Sequence, residues 1–214
     1  MDIEIARACV AHTAKEGGAT VIDPRNGSDA EWVGLIYSVM KSIVRLVPST
    51  GGVFDAVDSA VRDASESISV TVPTPAGPLV ILSKAAVSDG VELFSVGLHE
   101  CVHVSQINDH GGIQSGIDYL CGELRGFREA EASGVGMWAR FVVTGKMPRP
   151  EDASVLTSSL YHLSASEKSL SLGGVRSVLG TASMGLVPPF RAAISAINWL
   201  RKHSPESILV SDFR

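Results

Sequence analysis

The sequence predicts an α+β fold that is mainly helical, on three observations. A capping signal opens a run of apolar residues at helical spacing, a central stretch switches to β-branched runs, and helical spacing then returns and persists. In chain order, "SDAEWVGLIYSVMKSIVRLVP" places Ser28 three residues ahead of Glu31, a capping box. Trp32, Leu35, Val39, Ile43 and Leu46 then share a helical face until Pro48 stops it. A second helix is expected over "GVFDAVDSAVRDAS", where Val53, Val57 and Val61 stand four apart. "SISVTVPTPAGPLVILSK" reads as two short strands joined by a proline- and glycine-rich loop. Helices follow from Gly90 to Asp109, closed by "NDHGG", and from about Ser115 to Val143. "TGKMPRPEDAS" is the boundary candidate, so residues 1–146 are expected to form the main domain and 147–214 a helical C-terminal extension packed on it as one structural unit. The extension should hold helices around Val155 to Leu163, Val175 to Leu179 and Pro189 to Lys202, with Pro189 suited to a first turn.

Composition narrows the function classes. Charged residues make up 19 % of the 214-residue chain, below the roughly 25 % usual for globular domains. The surplus of apolar surface predicts burial against other subunits in an oligomer or assembly. A net charge of −5 without any Lys/Arg run argues against a nucleic-acid partner. "MDIEIARACVAHTAKEGG" lacks the basic and apolar regions of a secretory signal, which predicts a cytoplasmic protein or one built into a particle assembled there. No stretch reaches the roughly 18 apolar residues of a membrane span. Cys9, Cys101 and Cys121 have no CxxC spacing and read as reduced thiols, neither a disulfide scaffold nor zinc ligands.

The chemistry concentrates in "GLHECVHVSQINDHGG". On a helix, His99 and His103 lie one turn apart on one face, which also collects Glu92, Ser95 and Gln106. The flanks, Leu93, Val96, Val104 and Ile107 on one side and Phe94, Leu98, Cys101 and Val102 on the other, are apolar nearly all round. Such a helix is buried, so its single polar stripe must be satisfied inside the protein, and a divalent cation would satisfy it. H-E-x-x-H is the spacing in which two histidines bind zinc and the intervening glutamate, here Glu100, takes a proton from a water the metal activates. Chance would produce the pattern in on the order of one chain in a hundred of this length.

A third ligand is needed. Asp109, six residues after His103, approximates the extended HExxHxxGxxH/D pattern of metzincins, although Gln106 stands where that pattern needs glycine. The next helix, "YLCGELRGFREAEASGVGMWARFVVTG", offers Glu123, Glu129 and Glu131. Here the chain resembles the gluzincins, whose third ligand is a glutamate on a downstream helix, in several of them opening an E-x-E-A stretch; "EAEAS" matches with Glu129 first. Leu120, Leu124, Phe127, Trp138 and Val142 form an apolar stripe with Glu131 at its centre, whereas Glu129 shares a face with Ala132, Gly136 and Ala139, small enough for close helix approach. Glu129 is the preferred ligand, with Glu131, Glu123 and Asp109 as alternatives. The competing reading of each is a solvated acid paired to Arg125 or Arg128.

"HECVHVSQ" is also similar to the HExxHxxQ helix of small metallopeptidase-like domains found in phage particles and bacterial toxin or injection systems, a likeness covering Leu98 to Ala132. The resemblance implies a zincin-like core in residues 1–146, a Zn2+ cofactor, and a zinc metalloendopeptidase acting on protein or peptide substrates. It also implies an edge strand above the motif helix, for which "GPLVILSK" is the candidate, and a donor to the oxyanion, for which Tyr161 and His162 are the candidates. The alternative is a structural or assembly component of a virion or injection particle, with a vestigial or purely structural metal site.

Overall fold

A computed structural model describes residues 1–25, 69–74, 76–110, 125–149, 152–153 and 164–210. Among these are five α-helices and a three-stranded sheet, so the chain is α+β and mainly helical: α1 (Ile3–Glu16), β1 (Thr20–Ile22), β2 (Val70–Val72), β3 (Leu79–Ile81), α2 (Gly90–His110), α3 (Arg125–Thr144), α4 (Ala165–Ser183) and α5 (Arg191–His203). The helices expected over residues 28–48, 52–65 and 155–163 fall outside the described residues.

Helix α1 and strand β1 are not among the elements predicted above. The Asp2 carboxylate caps α1 by accepting from the backbone N–H groups of Glu4 and Ile5 at 2.8 and 3.2 Å. Its buried face is Ala6, Cys9, Val10, Thr13 and Ala14, small side chains that let it lie close on α2. The predicted hairpin forms: β2 pairs antiparallel with β3, Val70 opposite Ile81 and Val72 opposite Leu79. β1 adds parallel on the other side of β3, giving the order β1-β3-β2. This corrects the edge-strand expectation. "GPLVILSK" supplies the central strand, hydrogen-bonded on both sides, and among the described residues β2 is an outer one.

Helix α2 is the hub. Asp89 accepts from the N–H groups of Val91 and Glu92 and starts it; Leu93, Phe94, Leu98 and Val102 bury its length. α1, α3, α5 and the strands β2 and β3 all pack against it. α3 lies between α2 and α4, buried on both faces: Gly134 would place a Cβ 2.8 Å from Val178 of α4, and Trp138 is fully enclosed. Phe127, expected in the buried stripe of this helix, is instead 53 % exposed. Trp138 and Val142 of that stripe are fully buried, and so are the small residues Ala130, Ala132 and Ala139.

One hydrophobic core joins Ala6 and Val10 of α1, Leu98 of α2 and Trp138 of α3 to Val178 of α4 and Ile197 and Leu200 of α5. It therefore runs across residue 146. α4 is longer than the expected Val175 to Leu179, because Ser164 and Glu167 build a capping box a full ten residues earlier. α5 begins at Arg191, leaving Pro189 just outside the first turn. No helix among the described residues is long and apolar enough to cross a membrane.

Candidate metal centre

The helical spacing of α2 brings His99 and His103 into register, with ring centroids 4.9 Å apart and planes at 77°. Their Nε2 atoms are 3.1 Å apart. α3 can bring a third group to them because it crosses closely: a Cβ on Gly136 would stand 3.0 Å from the Ser95 carbonyl and 3.4 Å from His99 Cβ. Ser95 Oγ donates to the Gly136 carbonyl across the same contact at 2.9 Å. Two turns earlier on α3, Glu129 points into the gap, its Oε2 3.6 Å from His99 Nε2 and its Oε1 3.5 Å from His103 Nε2. Only 1 % of the Glu129 side chain is exposed, against 18 % for His99 and 11 % for His103.

These separations test the fit of a metal. Bonds of about 2.0–2.1 Å in a tetrahedron place neighbouring ligand atoms about 3.3 Å apart, and the observed 3.1, 3.5 and 3.6 Å bracket that value. Among the described residues, His99, His103 and Glu129 form the group whose ligand atoms all lie within 4.8 Å of one another. Two imidazoles and one carboxylate suit zinc, and three protein ligands leave a tetrahedral position over. The donor set fits the ion.

Electrostatics separates the two histidines. Burial, assisted by His103 and opposed by Glu129, lowers His99 to about 4. Burial also pulls on His103, but the charge and hydrogen bond of Glu129, the charge of Glu100 and the Gln106 amide raise it to about 9. Near neutral pH without a cation, His103 is thus the charged ring and His99 the neutral one. Burial pushes Glu100 up to about 7, against the lowering influence of His103 and of a hydrogen bond from Thr71. A carboxylate poised there can accept and return a proton near neutral pH.

Two further residues hold these chemical groups in place, Thr71 from the sheet and Gln106 from α2 itself. Thr71 of β2 donates to Glu100 Oε2 at 2.7 Å and lies 3.0 Å from the Glu100 carbonyl oxygen. It was not among the candidates; a threonine between two valines in a strand carries no local signal, and only the packing of β2 over α2 gives it a role. Gln106, noticed for its place on the polar stripe, accepts from His103 Nδ1 at 2.8 Å and donates to Glu131 Oε2 at 2.9 Å.

Of the alternatives for a third ligand, Glu131 is engaged by Gln106 and stands outside the ligand group. Asp109 is exposed near the end of α2 and is likewise outside the group. Glu123, Tyr161 and His162 lie outside the described residues. Compared with protein-family models, with curated proteins and with solved structures, the chain finds no match in any of the three.

Proposed function

We propose that the chain is a zinc-dependent metallopeptidase. The observation that carries this reading is the juxtaposition of three ligand atoms at 3.1 to 3.6 Å with a buried carboxylate, Glu100, one residue along the same helix. His99, His103 and Glu129 would hold the ion, which when bound supplies Lewis acidity and lowers the pKa of a water. Glu100 is the general base: its burial keeps its proton affinity near neutrality, and Thr71 fixes one carboxylate oxygen so that the other faces the reaction. The same carboxyl then returns the proton to the leaving amine. β2, outer among the described strands and tied to the base through Thr71, would offer backbone groups to an extended peptide.

Zinc content and cleavage of a mixed peptide library test this directly. Glu100→Gln should keep one zinc per chain and lose cleavage by about 10²- to 10⁴-fold, whereas His99→Ala should lose the metal. A parent protein that binds no zinc would remove the reading. The deep burial of Glu129 favours a second one, a metal that only joins α2 to α3; zinc at full occupancy with no cleavage of any library peptide would select it.

A further inference from the structure

We infer that Gln106 and Glu131 are positioning residues that fix the tautomer of His103, turning its Nε2 lone pair toward Glu129 and His99. The inference rests on the metal-site reading for its purpose, though not for its geometry. Among the described residues Gln106 joins His103 Nδ1 at 2.8 Å, Glu131 Oε2 at 2.9 Å and the Arg128 carbonyl oxygen at 3.2 Å. An ionised carboxylate and a backbone carbonyl are acceptors only. The side of the amide facing them must therefore be the NH2 group, because an amide oxygen turned that way would meet two oxygens at hydrogen-bond distance. That leaves Oε1 toward His103, and an acceptor there requires a proton on Nδ1. In the neutral ring Nε2 then bears the lone pair, aimed at the gap shared with His99 Nε2 and Glu129.

The direction of the chain of donors is set by Glu131, two residues from Glu129 on α3. One helix thus supplies both a ligand oxygen and the acceptor that orients the opposite histidine. A glutamine is required between them because it can accept at one end and donate at the other; a carboxylate at 106 would face the Glu131 carboxylate across 2.9 Å.

The experiment combines zinc affinity, by competition with a chelator, and 15N NMR of the histidine rings in metal-free protein, followed to the alkaline side until the ring shifts of His103 stop changing. The parent should show His103 protonated on Nδ1. Gln106→Leu should move the proton toward Nε2 and weaken zinc binding about 10- to 100-fold. Gln106→Glu alone should also weaken it, and the double variant Gln106→Glu, Glu131→Gln should recover part of the loss, because the carboxylate would then accept from His103 and from residue 131 while still facing the Arg128 carbonyl oxygen. Equal zinc affinity in all variants together with an unchanged tautomer would overturn the inference while leaving the metal site standing. A parent that binds no zinc yet shows the Nδ1 tautomer, lost in Gln106→Leu, would remove the metal reading and keep the relay.

Discussion

Helix α2 packs against α1 on one face and α3 on another, and both contacts use the same device for close approach. Gly97 would drive a Cβ to 2.5 Å from Val10 of α1, and Gly136 of α3 would drive one to 3.0 Å from the Ser95 carbonyl of α2. What the two faces enclose differs. Toward α1 the buried groups are hydrocarbon, the Thr13 hydroxyl and two thiols: Cys101, whose Sγ reaches the Val10 carbonyl, and Cys9, whose Sγ reaches the Ala196 carbonyl of α5. Toward α3 they are two imidazoles and a carboxylate. Since α2 makes a dry, close contact on one side without any charge, the charges on the other side are not what holds the helices together. Buried ion pairs add little net stability, because desolvation offsets most of their attraction; the cation proposed above would account for their presence.

The largest effect should come from making the second face like the first. The triple variant His99→Leu, His103→Leu, Glu129→Leu should abolish zinc binding, while the metal-free protein stays as stable as the parent or gains about 1–4 kcal/mol, as apolar replacement of buried charges does elsewhere. Calorimetric or urea unfolding without zinc measures it. A loss of several kcal/mol would show that the charged group is a structural element and break the contrast.

A matched pair of glycine variants sharpens it. Gly97→Val and Gly136→Val should each lower stability by about 1–3 kcal/mol through overpacking. Only the second should also weaken zinc binding, since it alone pushes the helix carrying Glu129 away from the histidines. Urea midpoints and chelator competition on both variants decide this, and equal loss of zinc in the two would mean that the site answers to overall packing and not to the spacing of α2 and α3.

The parts legible in the sequence were those encoded by local periodicity. α2 runs from Gly90 to His110 against an expected end at Asp109, and the sequence pattern already put His99, His103 and Gln106 on one face. The small residues Ala132, Gly136 and Ala139 marked the side of α3 that would come close, and that side carries Glu129. Non-local placement was not legible. β1 pairs with β3 across almost sixty residues, so "TVI" alone gives no sign of it and the central strand was taken for an edge. α1 buries alanines and a cysteine, too weakly apolar for its periodicity to stand out. Thr71 and Glu131 have their roles only through contacts with α2, Thr71 on Glu100 and Glu131 on Gln106.

The smallest effect is also the one that most directly separates the faces by pH. Burial, the largest influence, pushes the Cys9 thiol up to about 12 and the Cys101 thiol higher still, so the α1 side stays neutral through the physiological range. On the α3 side, His103 at about 9 is mostly charged at pH 8, Glu100 near 7 is mostly ionised, and His99 near 4 is neutral. A cation entering between the ligands must displace the His103 proton, so zinc binding at pH 8 should release about one proton. The sign follows from the raised value: His103 favours the metal-free fold most fully below its unfolded pKa of 6.5, and that contribution fades as pH rises through about 9. Zinc gains what the proton loses, and its apparent affinity should fall about tenfold from pH 8 to pH 7, or about 1.4 kcal/mol. Binding heats measured in buffers of different ionisation enthalpy count the proton. A heat independent of buffer would mean that His103 is already neutral before the metal arrives, and the division of charge between the two rings would have to be reversed or abandoned.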